Sequence, residues 1–210
     1  MYVMEKTELC LIAEKYKTDK CRLYRHNYTP YYYALLSPYR ESIKDILEIG
    51  VGFPGKPGSN VMEHVANLGY KKGGSLYMWR EFFPKAQIVG LDIHPEAMFT
   101  DESIQTFLSN QTDEETIQRN LAGKQFDFII DDGSHNLHDQ QKSFDILFPF
   151  LRKNGIYIIE DMLPLWTPDI KDHFIHYCKD VLLCKEAKVY DIRADSNFVV
   201  DDDVFIFIQK

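Results

Sequence analysis

From residue 45 onward, short apolar runs alternate with longer stretches whose apolar positions recur every three or four residues. The runs Asp45–Gly50, Gln87–Ile93, Ile104–Leu108, Phe126–Asp131 and Gly155–Glu160 are β-rich and bounded by turn residues, which predicts buried parallel strands. Between them the spacing predicts helices: Gly73-Gly74-Ser75 opens one that runs through Phe83 and is closed by Pro84. Another spans Asp113–Leu121 and ends at Gly123. A third carries Leu137, Phe144, Leu147, Phe148 and Leu151, with Pro149 kinking or ending it. Pro168–Leu183 is a fourth, and residues 59–69 form an inserted helix capped by Ser59. The last two runs, Ala187–Ile192 and Val204–Ile208, have no helix between them, so they predict an antiparallel hairpin at one sheet edge. Before residue 45 the pattern is helical. Leu9, Ile12, Ala13 and Tyr16 share one face of a helix over 5–16. A polar, basic stretch follows, then a second helix with Thr29 as N-cap and Pro30 in its first turn. The expected organisation is a helical cap over 1–44 and an α/β domain over 45–210.

Composition narrows the class. The chain has 210 residues, enough for one domain with a sizeable core, and a net charge of −8. That balance argues against nucleic acid or an anionic membrane as a partner, since phosphate binding needs a basic face. No run approaches the ~18 apolar residues of a membrane span, and the N-terminus does not read as a signal peptide. The four cysteines show neither a CxxC pair nor zinc-ribbon spacing, which predicts reduced thiols and a cytoplasmic protein.

The chemistry gathers at strand ends. In open α/β sheets ligands bind outside the carboxyl ends of the strands. Phe126–Asp131 runs into Asp132-Gly133-Ser134-His135, and the Gly155 strand into Glu160-Asp161. Asp132, Glu160 and Asp161 could converge there as hard oxygen ligands for Mg²⁺ or Ca²⁺, with an imidazole, His135, three residues beyond Asp132. Asp132 could instead cap the helix behind it. Asp131 points the other way by strand alternation and reads as structural or supporting. A zinc reading of Asp132, His135 and His138 is disfavoured by the oxygen donors around it. The first strand ends in Glu48-Ile49-Gly50-Val51-Gly52, glycines that let a cofactor approach the backbone, but the pattern is neither a dinucleotide fingerprint nor a phosphate loop. Asp92, ending the second strand, is placed to hold the ribose of an adenosine cofactor. Residues 53–72 delay the following helix, a long loop that suggests a lid or an oligomer contact. Trp79 and the Tyr31–Tyr33 cluster read as core, Trp166 as a candidate substrate wall, and Asp201-Asp202-Asp203 as a solvated hairpin tip.

In combination these motifs resemble class I S-adenosylmethionine-dependent methyltransferases. Gly73-Gly74-Ser75-Leu76-Tyr77-Met78-Trp79, Asp132-Gly133-Ser134-His135, Leu147-Phe148-Pro149, Glu160-Asp161, Thr18-Asp19-Lys20 and His26-Asn27-Tyr28-Thr29-Pro30 are similar to one branch, the metal-dependent sugar O-methyltransferases of macrolide tailoring. The resemblance covers about residues 15 to 165. It implies a Rossmann-like, doubly wound sheet with helices on both faces, S-adenosylmethionine and Mg²⁺ as cofactors, and a sugar or glycoside as acceptor. Asp132, Glu160 and Asp161 would bind the metal and His135 would be the base. Glu48, Gly50, Gly52 and Ser75 would line the methionine end of the cofactor, Asp92 would hold its ribose, and Gln111 and Asp131 would lie near the nucleoside. A homo-oligomer is expected. A catechol-like acceptor, or a catalytically silent cofactor-binding module, are the alternatives.

Overall fold

The computed structural model describes residues 6–53, 69–162, 165–195 and 203–210. An eight-stranded sheet forms the centre, in the order β3-β4-β2-β1-β5-β6-β8-β7. Its strands are β1 (Asp45–Ile49), β2 (Gln87–Asp92), β3 (Thr100–Asp101), β4 (Ile104–Leu108), β5 (Phe126–Asp131), β6 (Leu151–Ile159), β7 (Glu186–Asp191) and β8 (Val204–Gln209). β1, β2, β4, β5 and β6 run parallel, while β8 pairs antiparallel with both β6 and β7. This is the doubly wound, mostly parallel sheet with an antiparallel C-terminal hairpin that the pattern predicts.

Strand alternation divides the core in two. Ile46, Ile88, Phe128, Ile130, Ile156, Ile158 and Phe205 face one layer, against helices α1 (Glu8–Tyr16), α2 (Thr29–Leu36) and α3 (Gly74–Phe82). Leu47, Val89, Leu91, Ile129, Tyr157, Ile159 and Ile206 face the other, against α4 (Glu114–Asn120), α5 (Leu137–Leu147) and α6 (Pro168–His176). Side chains buried this fully contribute about 1.5–3 kcal/mol each. Because Leu9, Ile12, Tyr28, Tyr32 and Leu36 belong to the first layer, the N-terminal segment shares its core with the sheet.

Local signals account for the helix starts. Thr7 caps α1 by accepting from the Cys10 amide, Asp113 caps α4 by accepting from the Thr116 amide, and Thr167 caps α6 ahead of Pro168. Several expectations need correction. Thr29 is not a cap but the first helical residue, and its hydroxyl donates to Cys10 Sγ. Asp132 caps no helix; Asn136 does, by accepting from the His138 amide. β6 starts at Leu151, four residues earlier than expected, because Leu151 pairs with Phe126 across a bulge. α6 ends at His176 and a π-type turn over Tyr177–Val181 completes the segment. The two-residue β3 was too short to leave a pattern. The inserted helix over 59–69 lies, save its final residue, outside the described residues, as do Asp201 and Asp202.

Candidate active site

The carboxyl ends of β2, β1, β5 and β6 are consecutive along the sheet, so the side chains that end them share one rim. A cavity of about 570 Å³ opens there. Gly50, Gly52, Ser75, Asp92 and Gln111 line it, as do Asp132, His135 and Asp161.

The glycine turn after β1 is held from the side. Asp92 Oδ2 accepts from the amides of Val51 and Gly52 at 3.0 and 3.1 Å, and its Oδ1 accepts from the His94 amide at 2.8 Å. Gly50 has φ +88, and a Cβ there would lie 1.9 Å from the Asp132 carbonyl oxygen. Only glycine allows β1 and β5 to end this close together.

The loop after β5 is built in the same way. The Asp132 amide donates to the Ile49 carbonyl at 3.0 Å. Gln111 reaches across from β4: its Nε2 donates to Asp131 Oδ1 at 3.3 Å and its Oε1 accepts from the Ser134 amide at 2.7 Å. Asp131 is fully buried behind the wall, where burial pushes its carboxyl up to about 7. His135 and Asp161 both have left-handed backbone, φ +57 and +51. Neither is glycine, so each stores on the order of 1–3 kcal/mol of strain, as functional loops often do.

Asp132, His135 and Asp161 are brought together, each offering one ligand atom within 4.8 Å of the other two. His135 Nε2 lies 3.1 Å from Asp132 Oδ1, and its Nδ1 3.7 Å from Asp161 Oδ2. His138 is exposed and stands outside this group. Glu160 is also outside it. Its Oε2 accepts from Lys20 Nζ at 2.6 Å and its Oε1 from the Tyr32 hydroxyl at 2.8 Å. Glu48 is fully buried too: Trp79 Nε1 donates to its Oε2 at 2.6 Å, and Lys20 Nζ lies 3.6 Å from Oε1. Glu48, Asp131 and Glu160 therefore sit behind the cavity wall rather than on it.

The N-terminal segment supplies the partners that hold these acids, a role the sequence pattern did not suggest. Lys20 Nζ is 2.5 Å from Asp132 Oδ2 as well as 2.6 Å from Glu160. Tyr28 donates to Asp161 Oδ1. His26 bridges two acids, with Nδ1 2.5 Å from Asp203 Oδ1 and Nε2 3.5 Å from Asp161 Oδ2. Asp203 is thus fully buried, not part of a solvated tip, because it faces an imidazole. Trp166 is 2% exposed and is not a substrate wall: its indole donates to Gln140 Oε1, while Gln140 Nε2 donates to the Glu160 carbonyl. Trp79 is core, as expected, and Tyr32 combines core packing with its polar duty. The one trace of the N-terminal role was that Lys20, His26 and Tyr28 lie in motifs carrying the family resemblance.

The electrostatics follow from burial and pairing. Burial pushes the Lys20 ammonium down, but Asp132, Glu160 and Glu48 outweigh it and hold it well above its usual range. Burial would raise Asp132, yet Lys20 and His135 hold it well below the usual carboxylate range. Glu160 is pushed up, because burial and the nearby acids exceed what Lys20 returns. Burial lowers His135, but Asp161 and Asp132 raise it to about 10; His26 rises to about 9 through Asp161 and Asp203 against the same opposition. Acid outnumbers base on this rim. Hard oxygens at such spacing, open to a cavity, suit a small divalent cation.

No family model matches the chain. The mycinamicin VI 2''-O-methyltransferase of Micromonospora griseorubida is 37% identical over 169 residues, covering 78% of this chain and 38% of that protein. The 8-demethyl-8-(2-methoxy-alpha-L-rhamnosyl)-tetracenomycin-C 3'-O-methyltransferase of Streptomyces olivaceus is 35% identical over 162 residues, 76% of this chain and 37% of that one. Among solved structures, the MycE methyltransferase of the mycinamycin biosynthetic pathway, in complex with Mg, SAH and mycinamycin VI, matches with a TM-score of 0.74 and 28% identity. That match covers 99% of this chain and 55% of MycE. The chain spans 38% of the length of the mycinamicin enzyme it matches. No described helix is long and apolar enough to cross a membrane. The chain belongs to the class I S-adenosylmethionine-dependent methyltransferases, with the Rossmann-like fold, and is related to the sugar O-methyltransferases of macrolide and tetracenomycin pathways.

Proposed function

We propose that this chain transfers a methyl group from S-adenosylmethionine to a hydroxyl of a sugar, free or within a glycoside, with Mg²⁺ at the rim. The observation that carries the reading is the shared cavity. The Asp92-braced glycine turn and the Asp132–His135–Asp161 group, on either side of β1, open into one space. The glycine turn admits the donor close to the backbone, and Asp92 stands where a ribose would lie. Asp132 and Asp161 present the oxygens that would hold Mg²⁺. A bound Mg²⁺ supplies positive charge to the acceptor oxygen as it ionises.

The remaining work falls to the protein. The donor's methyl carbon loses its bond to sulfur and gains one to the acceptor oxygen, and the electron pair stays on sulfur. The hydroxyl proton passes to the imidazole of His135. In the metal-free site that imidazole is held protonated by its acidic neighbours. With Asp132 and Asp161 neutralised by a cation, His135 loses that support and falls back toward its ordinary value near 6.5, where it accepts a proton. General-base help of this kind contributes ~10²–10⁴-fold. All four cysteines are free and buried, which suits a reducing cytoplasm.

The test is direct. The chain is incubated with S-adenosylmethionine, Mg²⁺ and a panel of glycosides and catechols, and product is followed by mass spectrometry. Methylated glycoside that disappears in excess EDTA is expected. Full turnover in EDTA removes the metal, and methylated catechol alone relocates the acceptor. Cofactor binding by calorimetry with no turnover on any acceptor leaves a silent binding module.

A further inference from the structure

Lys20 is 1% exposed, and its ammonium sits among three carboxylates, 2.5 Å from Asp132, 2.6 Å from Glu160 and 3.6 Å from Glu48. It comes from the turn between α1 and α2, outside the sheet that carries the acids. Both oxygens of Glu160 are engaged, one by this ammonium and one by the Tyr32 hydroxyl, and Glu160 does not reach the cavity wall. Asp132 is shared: Oδ2 faces Lys20 and Oδ1 faces His135 and the cavity. Asp161, the residue next to Glu160, is on the wall within ligand distance of Asp132.

We infer that Lys20 is a resident cation that keeps Glu160 out of the metal's coordination and so weakens divalent-ion binding at Asp132 and Asp161. This rests on the metal-assisted reading above and deepens it. An ion at Mg²⁺–oxygen distances of about 2.0–2.1 Å that bridged Asp132 to Glu160 would need the space the Lys20 ammonium fills. A fixed positive charge beside the site also repels a second one at low dielectric. The arrangement has a use. Three buried acids with no cation would repel one another strongly, and Lys20 lets them persist before metal arrives. The divalent ion is then left with few protein oxygens and open positions for water and acceptor, the coordination that suits Mg²⁺.

Lys20 is a positioning residue, so the readout is metal affinity, measured on the full chain with Mn²⁺ by electron paramagnetic resonance and without any turnover. Lys20→Met is expected to tighten Mn²⁺ binding at least tenfold while lowering the thermal midpoint in EDTA. Lys20→Arg, which keeps the charge, is expected to bind within threefold of the unaltered chain. Glu160→Gln alone is expected to change Mn²⁺ affinity less than threefold, and Lys20→Met with Glu160→Gln to lose the tightening. A tenfold loss in Glu160→Gln would show Glu160 to be a ligand already and overturn the inference, even if Lys20→Met did not fold. Unchanged or weaker binding in a folded Lys20→Met overturns it too. If neither the unaltered chain nor any variant bound Mn²⁺, the metal reading of the function would fall, and this inference with it.

Discussion

Asp92 shows how a single residue can do two things at once. A ribose-holding acid is readable from its place at a strand end, but the structure adds that the same carboxylate braces the Val51 and Gly52 amides. Replacing it should therefore loosen the turn as well as remove a contact. Asp92→Ala is expected to weaken S-adenosylmethionine binding at least tenfold by calorimetry, since hydrogen bonds to a charged group are worth about 1.5–3 kcal/mol each. An unchanged dissociation constant would count against both roles. At this scale the sequence was informative wherever a residue's role depended on its own strand. Asp132, Asp92 and Gly50 end strands that announce themselves as apolar runs. It was silent where the role depends on a remote partner. Lys20 meets Glu160 across 140 positions and His26 meets Asp203 across 177, and no local pattern records such a pairing.

Elements were legible in proportion to their length and regularity. β1, β2, β4 and β5 fall where apolar runs lie between turn residues. β6 was read short because Arg152, Lys153 and Asn154 interrupt its apolar pattern near an edge where the ladder bulges. The stretch between α1 and α2 read only as polar and basic, yet it bears the residues that hold the acidic rim. α3 ties that rim to the core. Trp79 packs edge-on to Phe128 with ring centroids 5.4 Å apart, and its indole donates to the buried Glu48. Trp79→Phe keeps most of the packing but removes the donor. It should lower stability by about 1–3 kcal/mol, the cost of a buried acceptor left unsatisfied. Urea unfolding checks this, and an unmoved midpoint would mean that Glu48 finds another donor.

For the molecule as a whole, the buried charges predict how stability follows pH. His26 and His135 are raised from 6.5 to about 9 and about 10 by their acidic neighbours. A folded-state value above the unfolded one means that the folded chain holds the proton more tightly. The contribution to stability is full below about pH 6.5 and is lost as pH rises through 9 to 10. The thermal midpoint of the metal-free chain should therefore fall across that window, and His26→Gln should flatten part of the fall. A midpoint that rose with pH there would contradict the ion-pair network. The contact between His26 and Asp203 has a consequence for synthesis as well. Asp203 begins the last strand, and the imidazole it grips stands beside the loop that presents Asp161. A nascent chain can lay down its glycine turn early. It gains a finished pocket only after residues past 203 have left the ribosome and folded back against the first helices, so no growing intermediate should bind the donor as the released protein does.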